Sequence, residues 1–207
     1  MRGAVILAVV TNGRWLAGVV LIASALGSTS GFAQDQGADA SGTQTKGIID
    51  EVKGGVLAHD ISLGDKAVES GADFNGEVLF TSPSFLDFIA APRPHIGVSI
   101  NSDGNTDQAY FGLTWGLPLL HHIVGQSDAL TIYGSLGGAL QDGYEDSAPP
   151  GRKKLGSPIL FREAVELGYQ LTPVYSISGI VDHISNANLG SHNAGLTSAG
   201  ARFGIKF

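Results

Sequence analysis

A hydrophobic rhythm of two constrains this chain more than any other feature. Ala109, Phe111, Leu113, Trp115 and Leu117 fall on one side of an extended backbone, with Gln108, Tyr110, Gly112, Thr114 and Gly116 on the other. Leu130, Ile132, Leu136 and Leu140 alternate in the same way with Thr131, Tyr133, Ser135 and Ala139. So do Ile96, Val98 and Ile100 with Gly97, Ser99 and Asn101, and Phe74, Val78 and Phe80 with Asp73, Asn75 and Glu77. Pro158 to Leu171 and Val174 to Leu189 form a further pair across the turn signal Thr172-Pro173. A less regular first strand near Glu51 to Asp60 and a last one from Gly195 to Phe207 bring the number to eight.

Alternation alone also suits a soluble sandwich, so strand length decides. Sandwich strands are punctuated every 8 to 12 residues or so, whereas these segments run about 9 to 14, long enough to cross a bilayer when tilted. In the last segment Ala199, Ala201, Phe203, Ile205 and Phe207 alternate with Gly200, Arg202, Gly204 and Lys206. An ending on an aromatic resembles the C-terminal signature by which outer-membrane barrels are recognised for insertion. A strand in lipid must have both edges paired, so the segments are expected to close as an all-β, eight-stranded antiparallel outer-membrane β-barrel. Eight strands leave a lumen that side chains fill, which argues against an open pore.

The N-terminus fits export. Arg2 and Arg14 precede an apolar run from Trp15 to Leu26, and Gly31-Phe32-Ala33 places small residues before a cleavage site at Gln34. The expected organisation is a signal peptide over 1–33, a flexible N-terminal segment over 34–47 and the transmembrane barrel over 48–207. The absence of Cys excludes disulfides and cysteine-ligated metal sites. A net charge of −7, which loss of the two signal arginines makes −9, argues against a nucleic-acid partner. Strand parity assigns four extracellular loops: Ile61 to Gly71, Asn101 to Asp107, Asp142 to Ser157 and Asn186 to Ala194. The third carries Arg152-Lys153-Lys154, a solvated run by the simpler reading, although Lys153 and Lys154 could meet lipopolysaccharide phosphates. His121-His122 falls in a periplasmic turn and reads as an interfacial rim.

The chemistry sits on the seventh segment. Tyr175, Ile177, Gly179, Val181, His183 and Ser185 share the outward, lipid-facing side, which places His183 and Ser185 toward the outer leaflet. Residues two apart on a strand share a face, so an imidazole can reach the hydroxyl. Polar groups on a lipid wall incur a desolvation cost that they seldom bear without a use.

His183-Ile184-Ser185-Asn186, followed by Asn193-Ala194-Gly195-Leu196 and an aromatic-ended strand, resembles the lipid A 3-O-deacylase (PagL) family. Stretches around Val56 to Ile61, Asn75 to Phe80, Pro92 to Ser99 and Leu160 to Tyr169 are similar to its alpha-proteobacterial branch. The resemblance implies an outer-membrane serine esterase that removes the 3-O-linked acyl chain of lipid A, without cofactor or metal. Lipopolysaccharide is then the partner, and a homodimer remains compatible. It makes His183 the general base and Ser185 the nucleophile, with Asn186 and Asn193 orienting the site or stabilising an oxyanion. The family's acidic triad member falls at Thr197, which cannot supply the negative charge that stabilises an imidazolium.

Parity offers a substitute. On the sixth segment Ile159, Phe161, Glu163, Val165, Leu167, Tyr169 and Leu171 point outward, and Glu163 is the one charge among them. If the Thr172-Pro173 turn pairs residues whose numbers sum to 346, Glu163 lies across from His183, and it is expected to orient that ring. A sum of 344 would put Phe161 there instead. Asp182, Arg162 and Glu166 face the lumen, where Arg162 and Glu166 are expected to serve as an ion pair. Two readings of other classes stand beside the esterase: a structural or adhesion barrel without catalysis, and a different lipid A acyl-modifying barrel such as a palmitoyltransferase.

Overall fold

The computed structural model describes residues 47–63 and 66–207. The signal peptide expected over 1–33 and the segment expected over 34–47, apart from Gly47, lie outside the described residues. The alternating segments become strands β1 Ile49–Ala58, β2 Ala72–Phe80, β3 Arg93–Asn101, β4 Gln108–His121, β5 Ala129–Gln141, β6 Ile159–Gln170, β7 Tyr175–Ser185 and β8 Leu196–Lys206. Each pairs antiparallel with its neighbours in sequence, and β8 returns to β1, closing the barrel. Among the described strands, no sheet edge is left to template pairing with another chain.

The residues sort by parity into two surfaces. Outward side chains are apolar and open: Phe111 and Phe161 are each 57% exposed. Inward side chains are charged and buried, among them Glu51, Lys53, Glu77, His95, Arg162, Glu166, Asp182 and Arg202. An apolar coat around a charged interior is what lipid outside the barrel demands and what water would penalise. The interior satisfies itself by crossing the lumen. Lys53 Nζ donates to both oxygens of Glu166 at 3.0 and 3.1 Å, Arg202 pairs with Glu166 and, at 3.3 Å, with Glu77, and Arg93 bridges Asp50 and Glu51. Arg162 pairs with Asp182 at 3.1 Å and stacks over the Tyr110 ring. Arg162 and Glu166 both serve in luminal ion pairs, though not with each other: four residues apart on β6, Arg162 meets Asp182 on the neighbouring β7, whereas Glu166 meets Lys53 and Arg202 across the lumen.

One end carries the connections 59–71, 102–107, 142–158 and 186–195, the third of them the longest loop among the described residues, and the other carries 81–92, 122–128 and 171–174, with a 3-10 turn at Ser84–Ile89 whose Ile89 carbonyl accepts the Trp115 indole N–H at 2.8 Å. At the long-loop end the mouth is sealed by a buried polar cluster. His59 Nδ1 lies 2.7 Å from Asp73 and Nε2 3.0 Å from Glu69. Burial works against a charged His59, but the two carboxylates outweigh it and raise its pKa to about 9. Burial likewise works against a charged Glu69, yet the hydrogen bonds from His59, the Lys153 N–H and Thr106 hold it down at about 2. Lys153 does not extend into solvent to meet phosphates: it is 3% exposed and turned inward, 2.5 Å from Asp60.

Candidate active site

β7 is the strand that matters, and its register is fixed by its turn. The Thr172 hydroxyl accepts hydrogen bonds from the N–H of Val174 and Tyr175, while the N–H groups of Leu171 and Thr172 both donate to the Tyr175 carbonyl. Pairing Leu171 with Tyr175 makes the residue numbers of β6 and β7 sum to 346 all along the ladder. Glu163 accordingly stands directly opposite His183, with Phe161 opposite Ser185. On the other flank His183 is paired with Thr197 of β8. The imidazole thus lies between a carboxylate-bearing residue and a hydroxyl-bearing one, on the outer wall, two residues from Ser185.

Thr197 is more than a vacancy where an acid was expected. Its Oγ1 lies 2.8 Å from His183 Nδ1, so it holds the ring by a hydrogen bond even though it brings no charge. His183 is half-buried and Ser185 is buried at the end of the strand. On its far side the ring lies against Gly195, where an added Cβ would fall 2.6 Å from His183 Cε1 and 2.9 Å from Nε2, so no larger residue fits without moving the histidine.

β7 ends at Ser185, short of the expected Leu189, because Asn186 captures the chain in a tight turn. The Leu189 N–H donates to the Asn186 carbonyl at 3.0 Å, with Ala187 at φ 53° and Asn188 at φ 63°. Asn tolerates this left-handed conformation, but for Ala187 it costs roughly 1–2 kcal/mol, strain held two residues beyond the serine. The Asn186 side chain opposes that strain: its Oδ1 accepts the Asn188 N–H at 2.9 Å, and its amide donates to the Leu155 carbonyl at 3.0 Å and to the His192 carbonyl. Asn193 Oδ1 accepts the Asn186 N–H at 3.1 Å, and its amide donates to exposed Asn188. Asn186 therefore ties the 186–195 loop to the 142–158 loop, while Asn193 braces the 186–195 loop from within. At the outer tip, Ser191 and His192 hydrogen-bond Asp146 and hold its carboxyl below the usual range.

Sequence reasoning placed His183, Ser185 and Glu163 on the outward face, and the register sets Glu163 opposite His183 on one flank and Thr197 opposite it on the other. It missed the Thr197 hydrogen bond and the contact with Gly195, although Gly195 stands inside the quoted motif.

Comparison with known proteins gives two findings. The family model described as lipid A 3-O-deacylase (PagL) matches residues 91–206, more than half of the chain and the whole of β3 to β8. The crystal structure of the outer membrane enzyme PagL superimposes with a TM-score of 0.56 at 17% identity, covering 76% of this chain and 99% of that one, which establishes a shared fold. No curated protein matches the chain.

Proposed function

The chain belongs to the lipid A 3-O-deacylase (PagL) family, and on that premise we propose that it is an outer-membrane serine esterase removing the 3-O-linked acyl chain of lipid A. The observation that carries the mechanism is the register that sets Glu163 opposite His183, beside Ser185 on the lipid-facing wall. In the proposed reaction Ser185 Oγ attacks the ester carbonyl while His183 takes its proton. The tetrahedral intermediate collapses as the sugar oxygen leaves with that proton. Water, deprotonated in turn by His183, then attacks the acyl-serine and releases the fatty acid.

Each neighbour has a part. Thr197 Oγ1 accepting from Nδ1–H leaves Nε2 as the basic nitrogen. Glu163 supplies the negative charge that Thr197 lacks and stabilises the imidazolium. The Asn186 amide is committed to two loop carbonyls and serves to orient the loop, whereas that of Asn193 is held only by exposed Asn188 and is the one that can turn to an oxyanion. The outward direction of the site means that substrate reaches it from the outer leaflet rather than through the filled lumen.

Mass spectrometry of lipid A from cells producing the protein tests this. A mass loss equal to one hydroxyacyl chain, absent with Ser185→Ala, is the expected result. Deacylation that survives Ser185→Ala refutes the serine mechanism, and a mass gain would mark an acyltransferase instead.

A further inference from the structure

We propose that Lys153, in a loop remote in sequence from the motif, is a positioning residue for His183, acting through the Gly195 carbonyl. The inference rests on the reading of His183 as the general base.

The Lys153 side chain crosses the barrel mouth from the 142–158 loop with 3% of its surface exposed. Its ammonium lies 2.5 Å from Asp60 Oδ1 and donates to the Gly195 carbonyl at 2.5 Å. A buried ammonium must be neutralised, and Asp60 does that. The bond to Gly195 is additional, and it fastens the charge to one particular peptide. Gly195 is the residue against which the His183 ring rests, with room for no Cβ between them. Whatever fixes the 195 peptide therefore fixes the surface on which the imidazole lies.

The far end of the tether is itself immobilised. Asp60 Oδ2 accepts the N–H groups of Val68 and Glu69 at 2.7 and 2.9 Å, and the Lys153 N–H donates to Glu69 Oε1 at 2.9 Å. Glu69 is held in turn by His59 and Arg152. The next residue adds a parallel restraint, since the Lys154 carbonyl accepts the Ala194 N–H at 3.1 Å. A pair serving stability alone would end at Asp60. This one continues to the backbone behind the histidine, where a displacement of about 1 Å is enough to cost about a hundredfold in rate.

The test compares Lys153→Met, which keeps the stem and removes the charge, with Lys153→Met/Asp60→Asn, which removes the pair without leaving an uncompensated carboxylate. Lys66→Met, at an exposed site, is the control. Folding is followed by heat-modifiable mobility and melting temperature, turnover on lipid A in mixed micelles, and ring geometry by the His183 Cε1 resonance, assigned with His183→Gln. We expect kcat to fall about 10- to 100-fold in both Lys153 variants, with KM within about threefold. The double variant should recover the melting temperature but not kcat, and the His183 resonance should move in both but not in Lys66→Met. Recovery of kcat together with stability, or an unmoved His183 resonance, overturns the proposal. If the unmodified protein fails to deacylate lipid A, the proposed function falls, while the resonance still decides what Lys153 holds.

Discussion

His59 and His183 stand at the same end of the barrel, one inside the mouth and one on the wall, and their surroundings differ in kind. His59 has a carboxylate on each nitrogen, is 5% exposed and is held protonated well above neutrality. It is a structural cation. His183 has a hydroxyl at Nδ1, a glutamate across one ladder, a serine two residues on and a half-open position on the outer face. The difference lies in the number and placement of carboxylates: two in line hold the proton on His59, whereas His183 has one glutamate across the ladder, which in the proposed mechanism stabilises the charge after the proton has moved.

This contrast can be broken at several points. His183→Gln should abolish measurable lipid A deacylation, a loss of about 10³-fold or more, with the barrel still heat-modifiable. Glu163→Gln should lower turnover by about 10²- to 10³-fold without unfolding, and near-wild-type turnover would remove Glu163 from the mechanism. Thr197→Val deletes one neutral hydrogen bond, worth about 1 kcal/mol, so a roughly fivefold loss of kcat is expected. His59→Gln should leave kcat within about threefold yet lower the melting temperature by on the order of 10 °C, because Asp73 and Glu69 then lose the cation buried between them. A large loss of kcat there would erase the distinction between the two histidines.

The smallest expected effect is in pH dependence. The His59 pKa is raised from its ordinary 6.5 to about 9, so its stabilisation is complete below 6.5 and lost as pH rises through 9. The Glu69 pKa is lowered from 4.5 to about 2, so its contribution is present above 4.5 and lost as pH falls through 2. The melting temperature should accordingly decline by a few degrees between about pH 7 and 9.5, and His59→Gln should flatten that decline. An unchanged slope in the variant would mean that another group titrates.

Much of this was legible because β-strands carry their geometry in parity. The outward face of β7 and the inward direction of Asp182 follow from counting by twos, and counting narrowed the partner of His183 to Glu163 or Phe161, between which the hydrogen bonds of the Thr172-Pro173 turn decide. The β7–β8 alignment lay beyond such counting, since the 186–195 loop conceals its own conformation, and so the Thr197 hydrogen bond came only with the structure. The luminal pairs escaped for a related reason. Parity says that Arg162 faces inward, but the tilt and stagger of the strands decide that Asp182 meets it and that Lys53 reaches Glu166, 113 residues away in sequence. Loops have no period at all, and nothing in Arg152-Lys153-Lys154 distinguishes the lysine that turns inward from its neighbours.

The outward setting of His183 and Ser185 also determines how the proposed enzyme must be assayed. A site on the wall of a sealed cylinder meets its substrate in two dimensions, so mole fraction in the lipid surface, rather than molarity in the buffer, governs the rate. Adding inert detergent at constant total lipid A should slow the reaction by surface dilution.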